Sequence, residues 1–392
     1  MVAVVATLAT AFLVTACATT SSGGDGPDAS SDPIKIGVLA STTGALATYG
    51  IAERQGIEVA FANANAAGGI NGQKIEAVWY DPAGDTAKAV EQVNRMVQQD
   101  GVQVVLDASA SSGVGLAIKP ILQAAEVVMI SAGAAAAITD PASDSPYTFG
   151  TTLSTDHVAA KMAENLKAQG VKSVGTLASS DGYGKSGATS LQTELDKVGI
   201  TQEAVEYDPA ATDLTPQLRA LQAKNHGAII NWTSGNSGVV YFKNVKQLNF
   251  DSSTLIMSSF TFSNPALMEQ AGTASEGAIV AGIKATLLKV LKESDPQKAI
   301  IAKFDAALQK EYKVPVTIYA AQAHDSALVA IAGITAAKTT DAKPLAAAIE
   351  KLTLDGIQGT YKYSTTDHRG LGTQNLEMMQ WNGREFVQIG SN

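Results

Sequence analysis

Residues 109–115 read SASSGVG, three serines and two glycines following the apolar run VQVVLD. A serine acts as a nucleophile only with a base within reach and an acid to orient that base, and no G-x-S-x-G elbow occurs in the chain. Glycines cradle phosphate only at fixed spacing. In DGYGKSG (181–187) the Gly-Lys-Ser triplet has Ser179 where a phosphate loop requires its first glycine. The loop STTGALATYG (41–50) holds only Gly44 and Gly50, which does not fit the dinucleotide pattern. His157, His226, His324 and His368 stand far apart and in no metal-ligand spacing, which assigns them surface or capping roles. Non-covalent recognition is what these loops can do: hydroxyls and backbone amides aimed at the polar end of a small molecule. The expectation is a binder without catalysis, cofactor or metal.

Such loops need rigid elements to hold them. IKIGVLAS (34–41), IEAVWYD (75–81), VQVVLDAS (102–109) and VVMISAG (127–133) are short β-branched runs separated by helical patterns such as IAERQGIEVAFANANAAG. The rhythm repeats in VKSVGTLASS (171–180), ITQEAVEYD (200–208), GAIINWTSG (227–235) and STLIMSSF (253–260), with helices near 184–199, 212–225 and 237–248. Strand alternating with helix predicts βαβ units and mainly parallel sheets, so the fold class is α/β with two Rossmann-like lobes. After EGAIVAGIKA the pattern turns helical through DPQKAIIAKFDAALQKEY and TIYAAQAHDSALVAIAGITAAK, then ends in GTYKYS, LEMMQW and EFVQIG. In doubly wound sheets ligands sit at the carboxyl ends of the strands. The serine- and glycine-rich loops occupy those ends.

At 392 residues, 45% hydrophobic and 17% charged, the chain has material for two cores. A net charge of -9 provides no basic field and excludes nucleic acid as a partner. The first 16 residues, MVAVVATLATAFLVTA, are apolar or small, too short for a membrane span, and end at Cys17, the only cysteine. LVTAC resembles a bacterial lipoprotein signal, with Val14, Thr15, Ala16 and Cys17 matching its lipobox. That resemblance implies a lipoprotein signal, residues 1–17 ending at the lipobox cysteine, cleaved so that an acylated Cys17 becomes the new N-terminus and attaches the chain to the membrane by lipid, with 18–33 as a flexible polar tether. No Lys or Arg precedes the apolar run, which departs from the usual charged start.

IKIGVLASTTGALATYG (34–50), ANANAAGGINGQKIEAVWYD (62–81), VVMISAGAA (127–135) and SDGYGKSGATSLQTEL (180–195) together carry a family resemblance. The chain resembles the type I periplasmic binding proteins, in the leucine/isoleucine/valine-binding branch of ABC-importer receptors, from about residue 34 to its end. The resemblance implies two lobes joined by three crossings, near 150–152, 280–282 and 374–376. Lobe 1 is then 34–150 with 282–374, and lobe 2 is 153–280 with 376–390. It further implies a monomeric extracytoplasmic receptor that closes on one small molecule and presents it to ABC permease subunits.

Carried over residue by residue, the resemblance puts Ser112, with Ser111 beside it, against a ligand carboxylate. Gly133 keeps a backbone contact, and Ala135 stands where relatives have a threonine. Relatives often carry a disulfide in this region, whose two positions are here Gly84 and Ser111. Tyr49 matches an aromatic pocket wall and Tyr183 a tyrosine closing from the second lobe. Ser234 and Phe260 occupy the positions of the tyrosine and the carboxylate that hold an α-ammonium. No Asp or Glu lies between 252 and 268, so another acid, Asp181 or Asp107, takes over, or the ligand has no ammonium group. In the second case Phe260, Phe262 and Trp232 line an apolar or aromatic pocket. The default ligand is a branched-chain amino acid, and the alternative is an amine-free apolar or aromatic carboxylate.

Overall fold

The computed structural model describes residues 32–390. The leader, Cys17 and all but the last two residues of the tether lie outside the described residues. Strands β1 (Ile34–Ala40), β2 (Ile75–Tyr80), β3 (Val104–Ala108), β4 (Val128–Ser131) and β5 (Thr148–Gly150) form a wholly parallel sheet in the order β2-β1-β3-β4-β5. β3 and β4 are buried along their whole length, as expected of parallel strands covered on both faces. Helices α1 (Ala47–Ala66), α2 (Thr86–Arg95) and α3 (Ser112–Ala124) connect the first four strands. Asp85 caps α2 through Lys88 N–H, and Ser111 caps α3 through Val114 N–H.

The second half repeats the plan. Helix α4 (Thr155–Ala168) leads into β6 (Ser173–Ser179), α5 (Gly182–Val198), β7 (Thr201–Tyr207), α6 (Thr215–Gln222), β8 (Ala228–Trp232), α7 (Asn236–Leu248), β9 (Leu255–Ser258), α8 (Pro265–Ala271) and β10 (Ile279–Gly282). These five strands are parallel neighbours in a seven-stranded sheet. The chain then returns to the first lobe as α9 (Lys298–Tyr312), α10 (Ile318–Ala337), α11 (Ala342–Ile349) and the hairpin β11 (Thr353–Asp355) and β12 (Thr360–Lys362). Finally β13 (Glu377–Trp381) adds antiparallel to β10 and β14 (Phe386–Gln388) antiparallel to β13, giving the order β14-β13-β10-β9-β8-β6-β7. The product is a two-lobed α/β protein whose chain passes between the sheets after β5, after β10 and before β13.

The long helix α10 is buried almost all round, packed on α1, and its apolar character extends over more than one face. Close approach of the two depends on Gly56: a Cβ there would lie 2.2 Å from the Ala320 carbonyl oxygen. Polar residues at the amino-terminal end of α10 tie the passages together. Asp325, fully buried, accepts from the Ile357 and Gln358 amides and faces the Tyr361 hydroxyl at 2.9 Å. The Thr151 hydroxyl meets Ser326 at 2.6 Å and the Gln322 carbonyl at 3.1 Å, and Tyr363 donates to the Gly150 carbonyl.

Two of the histidines, His324 and His368, depart from the surface or capping roles expected of them. His157 does complete a capping box with Ser154. His368, however, is buried, stacked on Phe149 with Nδ1 at 3.0 Å from the Ser145 and Thr148 carbonyls. His324 is buried against Phe304, with Nδ1 at 3.3 Å from Asp325. Among the described residues no three His, Cys, Asp or Glu side chains cluster as a metal site, and no helix is long and apolar enough to cross a membrane.

Candidate functional site

A cavity of about 680 Å³ lies between the lobes at the carboxyl ends of both sheets. Another, of about 690 Å³, opens at the amino end of β1 beside Lys35, Gln73, Gln103 and Lys338. The first is the candidate site, because it collects the loops of both sheets and the amino-terminal turns of α1, α3, α5, α7 and α10. Seven of the sequence-predicted residues border it: Tyr49, Ser111, Ser112, Gly133, Tyr183, Ser234 and Phe260. Ala135 does not. Its N–H donates to Ser112 Oγ at 3.1 Å and its carbonyl accepts from Arg369, so it supports the wall from behind.

Ser111 spends its side chain on capping α3, while Ser112 Oγ accepts from Ala135 and keeps its own proton to donate. The first-turn amides of α3 precede the intrahelical ladder and border the same space. Behind them is Asp107, 2% exposed, which accepts from Ser109 Oγ at 2.6 Å and Ser131 Oγ at 2.7 Å. Ser131 Oγ in turn accepts from the Gly133 amide. Burial raises the Asp107 pKa against the pull of these hydroxyls. Asp107 is therefore a brace for the two loops and does not reach the cavity, which removes it as an ammonium partner.

Asp181 does border the cavity, and among the described residues it is the only carboxylate that does, with no lysine or arginine beside it. One of its oxygens already caps α5, accepting from Gly184 N–H at 2.8 Å and Ser179 Oγ at 3.1 Å. Of the three aromatic residues expected to line an apolar pocket, only Phe260 reaches it. Phe262 is fully buried against Phe242, and Trp232 lies under α5 at Gly187, so both are core. A tryptophan at the end of a strand packs inward when the helix above offers a glycine.

Tyr49 has a role that its sequence position does not disclose. Its ring stacks on Tyr319 at 4.4 Å, and its hydroxyl accepts from the Gly235 amide at 2.8 Å, a bond between the lobes. Burial pushes its phenol up to about 12. Gly235 has φ 82° and ψ -161°, a conformation open to glycine, and this aims its N–H across the cavity.

Sequence reasoning missed the contribution of α10. Tyr319 and Gln322 border the cavity, and Gln322 Nε2 donates to the buried Glu53 of α1 at 2.7 Å. The signal was present: Gln322, Asp325 and Ser326 interrupt an otherwise apolar helix, and buried polar residues keep hydrogen-bond partners.

Comparison with known proteins agrees with this architecture. Residues 33–385 match the sequence model of the family described as Periplasmic binding protein. A Leu/Ile/Val-binding protein homolog from Brucella melitensis is 27% identical over 368 residues, covering 91% of this chain and 93% of that protein. Among solved structures, a leucine-binding protein from Thermotoga maritima superposes with a TM-score of 0.78 at 19% identity, covering 91% of this chain and 98% of the other. A solute-binding protein of an R. palustris ABC transporter, in complex with 4-hydroxybenzoate, superposes with a TM-score of 0.79 at 20% identity, covering 91% and 96%. A matched span that takes in both lobes and every loop of the cavity leaves one conclusion: the chain belongs to the periplasmic binding protein family.

Proposed function

We propose that this protein is the lipid-anchored, extracytoplasmic substrate receptor of an ABC importer, capturing one small carboxylate by closure of lobe 1 (34–150 with 282–374) on lobe 2 (153–280 with 376–390). The observation that carries this reading is the interlobe cavity, with hydroxyls and helix-terminal amides on its walls and no lysine or arginine. Helix N-termini attract anions, and closure adds contacts that only the closed state makes. Tyr49, Ser112, Gly133, Tyr183, Ser234 and Phe260 are the proposed ligand contacts. Tethering through Cys17 rests on the lipobox resemblance alone, and Cys17→Ser should release the protein from the membrane fraction.

A branched-chain amino acid is the family's default ligand, and relatives named for leucine, isoleucine and valine support it. The hydrogen bonding of the cavity's one acid, Asp181, favours the second reading, an amine-free apolar or aromatic carboxylate. An ammonium enclosed without a counter-charge costs several kcal/mol, by order of magnitude, and the one acid present has an oxygen committed to capping α5. Benzoate and 4-hydroxybenzoate in two structural neighbours are precedents for such ligands on this fold. Comparing leucine with 4-methyl-2-oxopentanoate in a thermal-shift assay isolates the ammonium, since ligand binding raises the melting temperature by mass action. The oxo acid is expected to stabilise more strongly. A larger shift with leucine overturns the amine-free reading and restores the amino acid.

A further inference from the structure

Among the described residues, two buried hydroxyls of residues that border the cavity have no hydrogen-bond partner of good geometry. Tyr183, in the first turn of α5, is 7% exposed, and Tyr319, in the first turn of α10, is 5% exposed; both border the cavity from opposite lobes. Among the described residues neither phenol oxygen has a partner in good hydrogen-bond geometry, although both are buried, with Ser259 and Thr261 close to Tyr183 and Thr261 close to Tyr319. Thr261 lies near both, with its own hydroxyl directed to the Thr233 carbonyl at 2.7 Å. The third cavity tyrosine, Tyr49, shows what a satisfied phenol looks like here, because Gly235 N–H supplies its bond. Buried polar groups are almost always paired, and leaving one unpaired costs stability. Two such groups on residues that border one cavity and lie beside one threonine point to a partner that arrives from outside.

We propose that Tyr183 and Tyr319, with Thr261 beside them, form a second recognition point for an uncharged oxygen on the ligand, a hydroxyl or ketone carried at the end remote from the carboxylate. The inference rests on the carboxylate reading given above. Burial raises both phenol pKa values, so each remains a neutral donor. Two donors need an acceptor, and a hydroxyl or carbonyl oxygen has two lone pairs to offer them. A second anionic group is disfavoured, since the carboxylate already draws on the helix-terminal amides, Asp181 is itself anionic, and among the described residues no lysine or arginine borders the cavity. Phe260, Leu267 and Ile318 surround the remainder with apolar surface. An oxygen held by one tyrosine from each lobe gains both bonds only when the lobes are closed, so this point adds to closure as well as to specificity. The ligand class is then an ω-hydroxy or oxo carboxylate of compact, largely apolar body.

Matched ligand pairs test this: benzoate against 4-hydroxybenzoate, and hexanoate against 6-hydroxyhexanoate, titrated into wild type, Tyr183→Phe and Tyr319→Phe. The readout is the ratio of affinities within a pair. For at least one pair, wild type should favour the oxygenated member by about tenfold, as a buried hydrogen bond warrants, and each Phe variant should reduce that preference to within about twofold. A preference that survives both substitutions, or wild type without any preference, overturns the proposal. Unliganded melting temperatures give an independent arm. Removing an unpaired hydroxyl should leave both Phe variants as stable as wild type or more so, and a marked fall in both would show that the hydroxyls are already satisfied. If no carboxylate binds, the carboxylate reading fails, and the melting temperatures alone decide the subsite.

Discussion

Glu53 shows how much of the site lies beneath its surface. The residue is fully buried on α1, and its carboxyl pKa is held well above the ordinary range, chiefly by burial, with the Gln322 amide and the Ala110 backbone pulling it down and Asp107 pushing it up. A raised folded pKa means the native state binds the proton more tightly than the unfolded chain does. The resulting stability is complete below the ordinary glutamate range and is lost as pH rises toward the folded pKa. Glu53→Gln has no such proton to lose and keeps an oxygen for Gln322. Its stability relative to wild type should therefore improve between pH 5 and pH 8, by on the order of 1 kcal/mol for each pH unit that separates the ordinary glutamate range from the folded pKa, as read from melting temperature against pH; parallel curves would argue against a neutral Glu53. Arg369 presents the opposite charge in the same setting. It is 1% exposed, and its guanidinium donates to the Gly133, Thr152 and Ala135 carbonyls. Arg369→Met should cost about 2–4 kcal/mol in denaturant unfolding, because it leaves three carbonyls behind the cavity without their charged donor. A loss below about 0.5 kcal/mol, the range of an ordinary surface substitution, would remove Arg369 from this role. Residue types alone disclosed neither role. Both depend on which distant segments burial brings together, whereas the hydroxyls of 109–115 were legible because they directly follow a strand.

Secondary elements were easier to read than residues where they are long and bounded. β1, β3, α5, α7 and α10 fall within a few residues of their expected positions, since β-branched runs and glycine stops are local signals. β5, α8 and α11 were not anticipated. β5 has three residues and α8 has seven, too few for either period to register, and the alanines of α11 fit several patterns equally. Packing between elements adds a constraint that no periodicity contains. Gly56 brings α1 against α10, and a methyl group there would meet the Ala320 carbonyl at 2.2 Å and the Ala320 carbon and His324 nitrogen at 3.0 Å, all backbone atoms. The helices would have to separate. Gly56→Ala is accordingly expected to lower stability by about 1–3 kcal/mol despite the better helix propensity of alanine, with the denaturant midpoint as the measurement. A neutral or stabilising result would mean the helices part at no cost.

At the scale of the whole molecule, the resemblance to a known family made two lobes and a cavity between them legible, but not what holds the lobes together in this chain. The passage after β5 is braced by Arg369, Tyr361, Tyr363 and Ser326, all from the segment that returns to lobe 1. Across the cavity itself the bond from Gly235 N–H to the Tyr49 hydroxyl links residues 186 apart in sequence. A neutral hydrogen bond of this kind contributes about 1 kcal/mol net, roughly a fivefold bias in an equilibrium. Tyr49→Phe keeps the ring stacked on Tyr319 and removes only that bond. Unliganded Tyr49→Phe should therefore populate open forms more than wild type, giving a larger radius of gyration in small-angle scattering, and saturating ligand should return it to the wild-type liganded value. Its ligand affinity should fall by about fivefold, because the ligand must now supply the closure energy that the bond supplied. Superimposable unliganded scattering curves for the two proteins would mean that the bond follows closure and does not bias it.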